Sequence, residues 1–196
     1  MKKNLLFIIF FSIPMITSFA ATESTSSPKE GHAVLGGGCF WCMEALFQKL
    51  PGVIAVQSGF AGGRTKNPSY EEVSCGGTGH AEVIKITYDS TKISYDQLLD
   101  FFWRAHDPTT LNQQGADIGP QYRSIILTTS LAQQQEAETS KKKAQKYFSS
   151  PIVTEIFLLT HFYPAEKYHQ KYFENNRLAP YCRAVIAPKL KKLQME

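Results

Sequence analysis

Short apolar runs alternate with polar, glycine-broken stretches along the 196 residues. Ala33-Val34-Leu35 runs into Gly36-Gly37-Gly38, and residues 44–50 have helical character, so this segment reads as strand, glycine turn, helix. Residues 53–60 form a buried strand, closed by the turn Ala61-Gly62-Gly63-Arg64. Pro68 holds Asn67 to extended geometry, and Glu71-Glu72-Val73 fits a short helical turn. Residues 81–88 alternate, with Glu82, Ile84, Ile86 and Tyr88 on one side. Ser94 and Gln97 make a capping box for a helix through Trp103, ending near His106-Asp107-Pro108. A long polar loop covers 109–121, a strand 122–128, and a Ser130-capped polar helix extends to about Phe148. A strand over 153–158 precedes a helix with Pro164 in its first turn, extending to about Glu174. Asn175, Asn176 and Pro180 make the following tail turn-rich. Strands and helices mixed without strict alternation predict an α+β fold, with a mostly antiparallel sheet covered by helices.

The first residues change the picture of where the protein works. Lys2 and Lys3, the apolar stretch 5–11 and Ser18-Phe19-Ala20 read as a signal peptide over 1–20, cut after Ala20. Residues 21–31 are a polar lead-in with nothing to bury, and 32–196 are one domain. The expected location is periplasmic or extracellular, an oxidising compartment. The formal charge of +4 includes Lys2 and Lys3, so the mature protein is near neutral and nothing argues for nucleic acid. Lys141-Lys142-Lys143 is a solvated helix face.

Four cysteines, Cys39, Cys42, Cys75 and Cys182, are compatible with two structural disulfides, but a domain of this size does not need them. A reactive dithiol is the better reading for at least one pair. Cys39 stands where the glycine turn meets the helix, so the helix field is expected to stabilise its thiolate and lower its pKa. The glycines are expected to leave room for a ligand beside it. Cys42 follows three residues later on the same helix face. The plainer alternative is a pair of small core cysteines. Glu82, in line with apolar residues, must be paired, protonated, functional or reached by water at the strand start. The loop Cys75-Gly76-Gly77-Thr78-Gly79-His80 lacks the Lys-Ser/Thr of a phosphate loop. Cys39-Phe40-Trp41-Cys42 also fits a thiol–disulfide oxidoreductase, and a zinc module would need a second such pair, which the chain lacks.

Gly38-Cys39-Phe40-Trp41, Gly79-His80-Ala81-Glu82, His106-Asp107-Pro108, the segment from Gln114 to Ser124, and Tyr181-Cys182 together resemble the A-type peptide methionine sulfoxide reductases. The similarity extends over about 33–192. It implies a ferredoxin-like two-layer α/β sandwich with long loops. It further implies that Cys39 is the nucleophile, Glu82 the acid, Tyr70 and Tyr122 the hydroxyl donors, Asp117 a supporting carboxylate, and Phe40 and Trp41 the methyl pocket. The implied reaction turns methionine S-sulfoxide, in proteins or free, into methionine through a sulfenic acid on Cys39 and an intramolecular disulfide. No metal or bound cofactor is implied. An external thioredoxin-like dithiol protein resets the disulfide, and the protein acts as a monomer on oxidised proteins. Two thiols are candidates for resolving Cys39. Cys182, in a tail free to swing, is placed ahead, with Cys42 able to relay or substitute. Cys75 has no assigned part.

Overall fold

A computed structural model describes residues 29–195 of the chain. The expected signal peptide and the lead-in up to residue 28 lie outside the described residues. The elements run β1 (Glu30–Gly36), α1 (Phe40–Phe47), β2 (Val53–Ala61), α2 (Tyr70–Ser74), β3 (Ala81–Asp89) and α3 (Tyr95–Ala105). They continue with β4 (Gln113–Gln114), β5 (Asp117–Ile118), β6 (Ile125–Thr128), α4 (Leu131–Ala144), β7 (Glu155–Leu158), β8 (Phe162–Pro164), α5 (Tyr172–Asn175) and α6 (Ala187–Lys192). The main sheet has the order β7-β6-β1-β3-β2-β8. Its neighbours are antiparallel except β6 and β7, so the α+β expectation with a mostly antiparallel sheet holds.

Alternation along the strands sorts the core. Ala33 and Leu35 of β1, Ile84 and Ile86 of β3 and Ile126 of β6 meet the apolar faces of α1 and α3 in the main cluster. Val34, Val83, Ile125 and Leu127 point the other way into a smaller one. Glu82 shares the side of Ile84 and Ile86, as its parity predicts, and therefore lies under the helices. The capping box on α3 is present, with Ser94 and Gln97 bonding each other's backbone N–H groups.

Several elements differ from expectation. Glu30 and Gly31 are not lead-in: they pair with Asp89 and Tyr88 as the first residues of β1. Helix α1 starts at Phe40 rather than Glu44, which makes Cys39 its N-cap residue. Only the second half of β2, from Ser58, is buried. Asn67 is left-handed at φ 47°, a conformation that asparagine tolerates and that overrides the push from Pro68. Tyr122 belongs to a 3-10 turn, and the strand after it begins only at Ile125. The 109–121 loop folds on itself as the β4–β5 hairpin. Pro164 ends a strand instead of starting a helix. Gly59 pairs with it on edge strand β8, where its missing N–H is tolerated. The turn-rich stretch is confined to residues 176–179, and the tail beyond it is helical, with a π turn over Cys182–Ile186 running into α6.

Candidate active site

The end of β1 delivers the chain to Cys39 through two crowded glycines. A Cβ on Gly37 would lie 2.9 Å from the His106 ring, and one on Gly38, at φ +94°, 2.7 Å from the Gln114 side chain. The room these glycines leave is taken up largely by the protein's own α3 end and β4–β5 hairpin, and Gly37 also lines a small cavity beside Cys39. His106 is locked there by Phe102 O at 2.8 Å and Ser124 Oγ at 2.7 Å. Burial pushes its pKa down to about 4, so it is a neutral strut.

Helix α1 leaves its first N–H groups without intrahelical partners. Glu82 takes one of them: Phe40 N–H donates to Glu82 Oε2 at 2.9 Å. Water does not reach this carboxyl, which is 1% exposed. Desolvation outweighs the Phe40 bond and pushes its pKa up to about 8, so it is a carboxylic acid at neutral pH.

The expected lowering of the Cys39 pKa is overturned. Its thiol is raised well above the ordinary value, by burial first and then by the neighbouring Glu82 and Cys42. The backbone N–H of Trp41 pulls the other way, but a helix terminus cannot match the cost of stripping water from a thiolate beside a carboxyl. Cys39 therefore rests as a thiol.

Tyr70 and Tyr122 stand on this same side. Burial raises both hydroxyls, and each also feels Glu82 and Cys39. Phe40 is fully buried, its ring 5.7 Å from Phe60 and 6.4 Å from Tyr70. Trp41 is half-buried, stacked on Tyr172 at 3.7 Å and 8°. Its indole N–H donates to His169 Nδ1 at 3.1 Å.

Cys42 opens on the other side. It lines a cavity of about 180 Å³ with Cys39, Asp117, Tyr181 and Lys189 among others. Tyr181 donates its hydroxyl to Asp117 Oδ2 at 2.7 Å, which leaves the Tyr181 oxygen to accept from the Cys42 thiol at 3.6 Å. Cys182 is not a free tail thiol. It is fully buried in the π turn and does not line this cavity. Cys75 is exposed at the end of α2. All four cysteines are free. Among the described residues no group of three or more His, Cys, Asp or Glu is placed to hold a metal ion.

The structure thus brings Cys39, Glu82, Tyr70 and Tyr122 together, with Asp117 near enough to act on Glu82 and Tyr122 as well as on Cys42, while Cys182 lies close to Cys42 but outside the cavity. Tyr181, Lys189, His169, Tyr172 and Glu44 are supports that the sequence did not reveal. Glu44 is buried and accepts from Lys171 N–H at 2.9 Å, which fixes the residue before Tyr172 and so the stack on Trp41. These contacts span between 64 and 139 positions, so no local pattern announces them. The one signal was the adjacency of Tyr181 to Cys182.

A buried thiol, a protonated carboxyl against it and a second thiol one turn away suit a thiol-dependent oxidoreductase. The comparisons narrow the class. Residues 31–196 match the family described as "Peptide methionine sulfoxide reductase". The peptide methionine sulfoxide reductase MsrA of Leptospira borgpetersenii is 56% identical over 161 residues, which are 82% of this chain and 92% of that one. The crystal structure of reduced Mxr1 from Saccharomyces cerevisiae superposes with TM-score 0.75 at 36% identity, covering 79% of this chain and 90% of that chain. Mxr1 in complex with Trx2 superposes with TM-score 0.54 at 25% identity, covering 76% and 91%. The chain belongs to the peptide methionine sulfoxide reductase family, in its A type, and is a peptide-methionine (S)-S-oxide reductase.

Proposed function

We propose that the two sides of Cys39 divide the reaction. The sulfoxide enters with its oxygen toward Glu82 and its sulfur toward Cys39. As the Cys39 sulfur attacks, Glu82 gives a proton to the oxygen and regains the one that Cys39 loses. Tyr70 and Tyr122 hydrogen-bond the oxygen and hold it in line. Phe40 and Trp41 receive the methyl group. Thiol plus sulfoxide becomes sulfenic acid plus thioether, so atoms and electrons balance. The observation that carries this reading is the buried Glu82 carboxyl, held at the helix start by Phe40 N–H and protonated up to about pH 8.

Cys42 then condenses with the sulfenic acid, forming the Cys39–Cys42 disulfide and water. The support is proximity: both thiols line one cavity and Cys42 N–H bonds Cys39 O at 3.0 Å, whereas Cys182 is sealed in its helical turn. This reverses the order expected from the sequence, with Cys182 left to take the disulfide over from Cys42. A thioredoxin-like dithiol protein resets the pair, a reading supported by the Trx2 complex of the yeast relative. A plain thiol–disulfide oxidoreductase would leave the protonated Glu82 without a task.

We also infer a ferredoxin-like core, supported by the order β6-β1-β3-β2 with α1 and α3 as crossovers, to which β7 and β8 are added at the edges. Export rests on the leader residues 1–20 alone. The test of the activity is methionine release from each sulfoxide epimer with dithiothreitol as reductant. The S epimer is reduced and the R epimer is not. Equal rates, or none on either, overturn the reading.

A further inference from the structure

The cavity beside Cys42 holds a cation without a partner. Lys189 comes from α6 and lines that cavity together with Cys39, Cys42, Asp117 and Tyr181. It is half-buried, yet among the described residues no acceptor bonds its Nζ and no carboxylate lies within ion-pair distance. A half-buried ammonium with no counter-ion is costly unless an anion appears beside it during the working cycle. Asp117 attracts Lys189 across the cavity, but it lies beyond ion-pair distance and its Oδ2 accepts from the Tyr181 hydroxyl at 2.7 Å. Of the two thiolates that can appear in this cavity, that of Cys42 acts on Lys189 more strongly than that of Cys39.

We propose that Lys189 is a positioning residue for the resolving step: its ammonium stabilises the Cys42 thiolate that attacks the Cys39 sulfenic acid. This rests on the reading of Cys42 as the resolving thiol. The step balances. The Cys42 thiolate gives its electron pair to the Cys39 sulfur, the S–S bond forms as the S–O bond breaks, and hydroxide leaves as water with a proton from the medium. A thiolate attacks; a thiol does not. Burial pushes the Cys42 thiol up, and the Lys189 ammonium is the strongest of the neighbours pulling it back. Burial pulls the Lys189 ammonium down, and Cys42, then Cys39 and Asp117, pull it back part of the way. The other groups facing the pair are Cys39 from the start of α1, Tyr181 and Cys182 from the π turn, Lys192 one turn along α6 and His106 at the end of α3. Arg104 and Asp107 line the groove outside Lys189. His106 is neutral, so among the described residues Lys189 is the one cation lining the cavity.

Two readouts test this separately from the activity. The first uses full-length chain with Cys42 as its only cysteine, made by Cys39→Ala, Cys75→Ser and Cys182→Ala. Iodoacetamide alkylation is followed from neutral to alkaline pH, with and without Lys189→Met. The uncharged variant is expected to move the midpoint up by about one unit, so that alkylation below it slows about tenfold. Lys189→Arg is expected to restore the original profile, which a merely structural role for the side chain would not do. Lys189→Gln replaces Lys189→Met if the latter does not fold. The second readout uses the chain with all four cysteines and one equivalent of methionine S-sulfoxide. Closure of the Cys39–Cys42 disulfide, measured per sulfenic acid formed, is expected to slow about tenfold in Lys189→Met and to recover in Lys189→Arg. Alkylation profiles that coincide with and without Lys189→Met overturn the proposal, and so does an unchanged closure rate. If Cys42 proves not to resolve Cys39, the alkylation shift still shows the electrostatic pairing, and the fault lies in the assignment of the resolving thiol.

Discussion

The two sides of Cys39 are built differently. The Glu82 side is assembled from β3, the starts of α1 and α2 and the 3-10 turn at Tyr122, buries the Glu82 carboxyl beside two half-buried tyrosines, and keeps its acids protonated: Glu82 up to about pH 8, Tyr70 and Tyr122 raised by burial. The Cys42 side is assembled from the β4–β5 hairpin and the C-terminal helical segment, opens into a cavity, and carries Asp117 and Lys189. One side stores protons and the other accommodates charge. Reduction of a sulfoxide needs a proton delivered to oxygen; resolution of a sulfenic acid needs a thiolate. In the reaction proposed above the two tasks fall to different flanks of Cys39, each in a medium suited to it.

The largest effect that tests this division is Cys39→Ser. It should abolish methionine formation even in a single turnover, and a methionine burst from that variant would remove Cys39 from the first flank. Next is Glu82→Gln, which keeps an acceptor for Phe40 N–H but cannot give up a proton in the same way. Its sulfoxide step should slow by on the order of 10²–10⁴-fold, the usual contribution of a general acid. A rate within a few-fold of the parent would mean that the tyrosines or water supply the proton.

The smallest effect is on stability, and its sign is fixed by the Glu82 shift. A carboxyl whose pKa is raised by folding contributes its stability fully below the ordinary value near 4.5 and loses it as pH rises through about 8. Tm of the parent protein should therefore fall over that window by more than Tm of Glu82→Gln, whose amide does not titrate. The gap between the two should widen with pH. Parallel Tm curves would show that the carboxyl is not held protonated by burial.

The chain made the first flank legible and hid most of the second. Cys39 is marked by its glycine turn, Glu82 by its parity with Ile84 and Ile86, and α3 by the Ser94–Gln97 box, all local signals. What was local but collective was misread. The pKa of Cys39 depends on how much water the whole fold removes, and that is invisible at the level of a helix start. Asn67 and Pro164 obeyed sheet and loop geometry over their own preferences. The second flank depends on pairs far apart in the chain: Cys42 meets Tyr181 across 139 positions, and Tyr181 meets Asp117 across 64. Contacts of that range leave no trace in spacing, so Lys189 reads in the sequence as one more residue of the tail.

The central claim is that the thiol beside Cys39 on the open flank, not the one sealed in the C-terminal turn, closes the first disulfide. The most direct measurement is a rapid-quench time course after one equivalent of methionine S-sulfoxide, with free thiols blocked and disulfide-linked peptides identified by mass. The account predicts that a Cys39–Cys42 species appears first and that any Cys42–Cys182 species follows it. A Cys39–Cys182 species forming ahead of Cys39–Cys42 would contradict it.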